Sequence, residues 1–378
     1  MQALSVGIKI YDNNWFLKHE LGPDQAADLL KKMGATWVIA QSRFLPMADS
    51  AVESAVRSAD TGRYGDLDDV AFRKCLKERG IDYFAVLNIC FDPAFLTRHP
   101  SLAAVDQFGR RAEMQDWYVG MPPDRTENID HKVALLERAV AALEPDGVHL
   151  GFIRWPGFWE TWLDDVNRAD MPDTCYSART LAGFVADTGS DVPVNDPAGA
   201  ARIIASRYRT QWRDWKCGVT VAAIRRIREA IARVQTGVKI SINTLPFFPT
   251  DFDNAVEEVF GQDVHRLRDV VDVFEVMAYH QILRKDALWP ARVTENIKTR
   301  AAQTAVCTLQ VRPLYLDGMH AGRGRSPSLG ADEFCRAVDA VEVSAADGVC
   351  LFTFTDLLDL RDTGDGQKMI ERLARFRR

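Results

Sequence analysis

A single (β/α)8 barrel over residues 1–378 is the fold this sequence predicts, and three observations predict it. Five times an amphipathic helical pattern ends on a glycine and passes into a short apolar run: KKMGATWVIA, KERGIDYFAVL, EPDGVHLGFI, VQTGVKISIN and AADGVCLFTF. Three further strand-like runs, Leu4–Tyr11, Val271–Tyr279 and Thr308–Tyr315, bring the strands to eight, each followed by helical periodicity. Finally, no glycine-rich turn follows Tyr11, where an open doubly wound sheet would normally carry one.

The glycines that close the five patterns, Gly34, Gly80, Gly147, Gly237 and Gly348, read as helix stops. A helix commonly ends on a left-handed residue, a conformation that costs glycine nothing. Barrels of this kind run from ~250 residues to above 400 with insertions, so 378 residues need no second domain. Spacing between strands is uneven, and the excess lies after strand 3 (residues 91–128) and after strand 4 (155–200), which predicts enlarged loops there. In this fold the loops that follow the strands build the active-site face.

Composition narrows the partners. Lys plus Arg is 47 against 53 for Asp plus Glu, a net charge of −6 that argues against a nucleic-acid surface. No run of ~18 apolar residues exists to span a membrane. The start, MQALSVGIKIYD, lacks a basic segment followed by an apolar one, so no signal peptide is expected. Seven scattered cysteines read as reduced, which favours the cytoplasm, and no CxxC or HExxH spacing appears, so neither a metal nor another cofactor is expected. A homo-oligomer is compatible with the sequence, which carries no signal of its oligomeric state.

Walking the strand ends gives a polar ring with aromatic walls. Asp12 follows strand 1; Gln41 and Arg43 stand at strand 2; Asn88 and Asp92 at strand 3; Arg154, Trp155, Trp159 and Glu160 at strand 4. Asn243 ends strand 5; Glu275, Tyr279 and His280 lie on strand 6; Arg312 and Tyr315 on strand 7; Asp356 at strand 8. Sugars stack their apolar faces on aromatic rings while carboxylates, amides and guanidinium groups take the hydroxyls, and cleaving a glycoside needs two carboxyl groups in different environments. In WPGFWETW, Pro156 and Gly157 prevent a regular helix, which favours a binding loop over mere capping of the barrel by Trp155 and Trp159. Glu275, inside VDVFEVMAYHQ, has apolar neighbours and is expected to be buried, so it must be paired or neutral. An ion pair with Lys9, Arg154 or Arg312 is the alternative account of it. His149 reads as a core histidine, and His280 as a substrate contact.

These residues bring a resemblance into view. DGVHLGFIRWPGFWE on strand 4, FEVMAYHQIL on strand 6, the excursion DQFGRR…WYVGMPPD after strand 3 and PDTCYSARTLAGF after strand 4 resemble a glycoside-hydrolase-like TIM-barrel family, over roughly Tyr83 to Leu358. The family pattern on strand 4 is similar to DGxxLDFxRW, with an aspartate where this chain has Gly151, and its later cysteine pair is reduced here to Cys175, followed by Tyr176 and Ser177. The resemblance implies hydrolysis of a glycosidic bond in a carbohydrate. Glu160 is expected as general acid and Glu275 as nucleophile or base, with Gly151 leaving room beside Glu275 on a neighbouring even-numbered strand and a retaining course favoured. Arg43, Arg154 and Arg312 at strand ends point to an anionic sugar, or each holds a carboxylate of the site.

Two rival readings stand beside it. Loss of the strand-4 aspartate also fits a barrel that binds carbohydrate without cleaving it. The glycine-rich DGMHAGRGRSPSLG after strand 7 suggests a phosphosugar lyase or isomerase, although the lysines available, Lys9 and Lys239, lie on strands 1 and 5 and strand 6 has none.

Overall fold

The apolar runs are short and buried on both faces, as a parallel barrel wrapped in helices requires. The computed structural model describes residues 5–45 and 65–376. Its strands are β1 Ser5–Ile10, β2 Trp37–Ala40, β3 Asp82–Asn88, β4 Gly147–Gly151, β5 Lys239–Thr244, β6 Val273–Val276, β7 Thr304–Gln310 and β8 Gly348–Phe352. They pair in parallel in chain order, and β8 returns to β1, closing the ring.

The helices pack outside with apolar stripes turned inward. Leu30, Leu76, Leu136, Ile227, Ile297 and Phe334 come from six different helices and are all fully buried. The helix Asp69–Glu78 starts on Asp68, whose carboxylate accepts from the Ala71 N–H at 2.8 Å and satisfies one of the free donors of the first turn.

Gly34, Gly80 and Gly237 are left-handed, as expected of helix stops. Gly147 is not: the helix Thr126–Leu143 closes on left-handed Glu144, and Gly147 instead begins β4, where a Cβ would lie 2.3 Å from the Phe84 ring. Gly348 likewise begins β8. The strand expected at Thr308–Tyr315 runs Thr304–Gln310, because left-handed Ala302 stops the preceding helix earlier than any glycine indicated. Similarly, β6 ends at Val276, so Tyr279, His280, Arg312 and Tyr315 all stand beyond their strands.

Inside the ring the side chains stack in layers. At the amino-terminal end Trp37 and Phe84 meet edge-to-face, with centroids 5.4 Å apart. Trp37 presses on Gly7, where a Cβ would come within 2.4 Å of the indole. With Ile39, Val86, Val306 and Cys350 they form an apolar plug. Above the plug lies a buried polar layer of Lys9, His149, Ser241, Glu275 and Thr308.

The segment after β4 carries its own small core of Tyr176, Leu181, Phe184 and Trp212. Beside it the buried Lys216 ammonium is fully engaged by Asp173 at 3.1 Å and by the carbonyls of Thr174, Glu258 and Val259 at 2.6, 3.0 and 2.8 Å. All seven cysteines are free thiols. Among the described residues, no helix is long and apolar enough to cross a membrane.

Candidate active site

At the carboxyl-terminal end of the barrel a cavity of about 1010 Å³ opens above the polar layer. Of the residues singled out in the sequence, Asp12, Asn88, Arg154, Trp159, Glu160, Asn243, Tyr279, Arg312 and Asp356 line it. Gln41 and Tyr315, also named at strand ends, line it as well, and Lys9, Phe91, Trp117 and Phe152 join them. The aromatic rings form a continuous wall: Phe91 meets Phe152 at 4.9 Å and Trp117 at 5.6 Å, and on the other side Trp159 and Tyr279 stand 5.9 Å apart.

Glu160 sits in a single 3₁₀ turn, Trp159–Thr161, whose carbonyl end is pinned by Arg325: one guanidinium N–H donates to the Glu160 carbonyl at 2.8 Å. The side chain is only 7% exposed. Burial pushes its carboxyl up to about 7, against the opposing pull of the Arg154 charge and the Tyr315 hydroxyl. A carboxylic acid that keeps its proton near neutral pH is the form a proton donor needs.

Across the mouth, the Asp356 carboxylate is ion-paired to Arg312 and accepts from the Thr353 N–H at 3.1 Å and the Thr353 hydroxyl at 2.8 Å. Asp12 accepts from the Thr355 hydroxyl at 2.7 Å and the Asn14 N–H at 2.8 Å, and burial raises its carboxyl above the ordinary range. In an eight-stranded ring β8 stands diametrically opposite β4. Asp356 and Glu160 therefore follow opposite strands, and the Glu160 carboxyl reaches the Tyr315 hydroxyl beyond β7.

Glu275 does not face the cavity. It is fully buried beneath the floor, with Lys9 Nζ 2.9 Å from one oxygen, the Asn243 amide on the same oxygen and the Thr308 hydroxyl on the other. Burial alone would lower the Lys9 ammonium, but the Glu275 charge beside it overrides this and holds it well above its ordinary value. Of the three partners considered for Glu275, Lys9 is the one the fold supplies. His149 lies in the same layer, Nδ1 3.0 Å from the Ser241 hydroxyl, and burial lowers it to about 4, so it is a neutral core histidine.

Four other expected site residues are also elsewhere. Arg43 turns to Asp69 at 3.2 Å and to the Gly65 carbonyl at 2.9 Å. Asp92 caps the helix Pro93–Arg98 and pairs with Lys132 at 2.7 Å. Trp155 is buried behind the wall, its indole N–H donating to the Lys216 carbonyl at 3.0 Å. His280 is turned away to Glu333, 3.1 Å from its Nε2. Each is a polar or aromatic residue at a strand end whose side chain stabilises the frame behind the cavity rather than its surface.

The space expected beside Glu275 at Gly151 is taken instead by Asn88: a Cβ at Gly151 would lie 2.3 Å from the Asn88 amide oxygen. Gly151→Ala is therefore expected to destabilise the fold by about 1–3 kcal/mol through overpacking. Urea denaturation checks this, and adding Asn88→Ala should make the double variant less destabilised than the sum of the two.

The lysines lining the cavity, Lys9 and Lys18, are each ion-paired, to Glu275 and Asp359. Lys239 lines a separate cavity at the opposite end of the barrel. No unpaired amine for a Schiff base thus stands at the mouth among the described residues.

The closed eight-strand parallel ring with alternating helices is a TIM-like barrel, and solved proteins of that class superpose on nearly the whole chain. The glycoside hydrolase domain of PgaB (BpsB) from Bordetella bronchiseptica matches with a TM-score of 0.67 and 14% identity, over 98% of this chain and 99% of that one. The β-amylase catalytic domain from Paenibacillus polymyxa matches with a TM-score of 0.63 and 12% identity, over 100% and 99%. A GH42 β-galactosidase from G. stearothermophilus gives 0.64 and 11%, over 100% of this chain but 57% of its own. No protein-family model matches the chain, and neither does any curated protein.

Proposed function

We propose that this barrel hydrolyses a glycosidic bond in a carbohydrate, with Glu160 as the proton donor to the leaving oxygen. The observation that carries the reading is a buried glutamic acid, its carboxyl at about 7, in the wall of an aromatic-lined cavity at the carboxyl end of the strands. The structural likeness to a glycoside hydrolase domain and a β-amylase domain supports it at the level of the fold.

The second carboxylate in this reading is Asp356. The retaining course expected from Glu275 loses its basis, because that side chain has no exposed surface and does not line the cavity, whereas Asp356 does. Glu160 and Asp356 line one cavity from segments that follow β4 and β8, and the inverting course assigned to them requires a carboxyl separation of ~6.5–9.5 Å with a water between. Asp356 acts here as the base that takes a proton from that water, with Arg312 and Thr353 fixing its orientation.

A panel of aryl glycosides and oligosaccharides in both anomeric forms tests the activity, and proton NMR of the first product tests the course. The expected product has the inverted anomeric configuration, and Asp356→Asn is expected to lower kcat by about 10²–10⁴-fold. A retained configuration, or near-normal turnover by Asp356→Asn, rules out this role for Asp356.

A further inference from the structure

Arg154 is a buried cation without an anion. Its residue is 2% exposed, yet among the described residues no carboxylate lies within ion-pair distance of its guanidinium and no hydrogen bond from it is found. Its backbone is fixed in the turn after β4, and its guanidinium lies over the Phe152 ring, 4.8 Å from the centroid. Stacking in this way occupies the flat face and leaves the N–H edge for a ligand in the plane. Arg154 and Phe152 both line the cavity, as does Glu160, whose carboxyl feels the Arg154 charge from beyond contact distance.

A guanidinium cannot shed its proton to escape such a position, so a buried one without a partner is unfavourable unless something else neutralises it. The other cations around the mouth are already satisfied. Lys9 pairs with Glu275, Lys18 with Asp359 and Arg312 with Asp356, while Arg325 donates to the carbonyls of Ile282, His320 and Glu160.

We propose that the substrate is an acidic sugar, and that Arg154 receives its ring carboxylate; this rests on the hydrolase reading above. A planar carboxylate matches the two parallel N–H groups of a guanidinium edge. One free positive charge suits one negative charge, which disfavours a phosphate ester carrying nearly two. Asp356 and Asp359 at the β8–β1 wall already hold Arg312 and Lys18, so among the described cations lining the cavity Arg154 is the one left without a carboxylate. The sugar ring then lies against the Phe91, Trp117 and Phe152 wall, with its glycosidic oxygen towards Glu160.

Calorimetric titration of the intact protein with glucuronate and galacturonate, against glucose, galactose and glucose 6-sulfate, tests recognition without needing turnover. At least one uronate is expected to bind on the order of 100-fold tighter than its neutral counterpart, since a site built around a charged contact rejects the analogue lacking it. Arg154→Gln should erase that preference while leaving neutral-sugar binding within about five-fold. Its melting temperature should equal or exceed that of the wild type, because an uncompensated charge has been removed.

Equal binding of acidic and neutral sugars, or no binding of either uronate, overturns the proposal. So does an Arg154→Gln protein that melts lower and loses both ligands alike, the mark of a purely structural arginine. Glucose 6-sulfate binding as tightly as the uronates overturns the carboxylate assignment. If uronates bind selectively but no glycoside of the panel, charged or neutral, is cleaved, recognition by Arg154 stands and the hydrolase reading falls.

Discussion

Glu160→Gln is expected to lower kcat by about 10²–10⁴-fold on substrates whose leaving group needs a proton, and much less on aryl glycosides with acidic phenols. The amide is nearly isosteric and keeps the turn held by Arg325, so the loss belongs to proton donation. In the wild type, activity should fall as pH rises through about 7, where the carboxyl gives up its proton, and the variant should lack that alkaline limb.

Stability reports the same group independently. The carboxyl ionises near 4.5 in the unfolded chain and at about 7 in the folded one, so the folded state holds the extra proton between those values. Stability from this residue is intact below pH 4.5 and declines as pH rises to 7, reaching a loss of about 3 kcal/mol above it. Unfolding of the Gln variant should match the wild type near pH 4 and exceed its stability at pH 8. Unchanged activity together with an unchanged stability profile would remove Glu160 from the chemistry.

Glu275→Leu is expected to be the most damaging single change to the fold. It leaves the Lys9 ammonium 1% exposed inside the barrel with no counter-charge. Breaking one side of such a pair costs about 3–5 kcal/mol, which in a chain of 378 residues corresponds to a fall in Tm of roughly 4–6 °C. Removing both charges restores packing without the orphan, so Lys9→Met with Glu275→Leu should recover most of the loss. Thermal and urea unfolding of the two single variants and the double variant measure it. A Glu275→Leu protein as stable as the wild type would show that the pair contributes nothing to the fold.

Glu275 also marks the border of what the sequence could disclose. Its burial was readable from Phe274 and Val276 on either side, but choosing among Lys9, Arg154 and Arg312 required knowing that β1 and β6 send side chains into the same layer. The eight strands were legible because helix ends and apolar runs are local signals. The start of β7 was not, since Ala302 rather than a glycine stops the helix before it.

For the candidate site, strand-end position identified Glu160, Arg154, Trp159 and Asp356 as cavity residues. It equally nominated Arg43, Asp92, Trp155 and His280, whose side chains turn to Asp69, Lys132, the Lys216 carbonyl and Glu333. Those partners lie on distant segments of chain, and no period in the sequence announces them. Lys9 could have been placed in the interior from strand alternation in GIKI, and Trp117 from the aromatic WYVG run in the excursion after β3.

The plug of Trp37 and Phe84 makes the barrel a cup rather than a tube. Nothing that enters at the mouth has an exit through the floor, so whatever occupies the cavity comes and goes through one doorway. Occupancy under that arrangement is a matter of traffic: a molecule nearer the rim must depart before a deeper one can, and solvent follows it in.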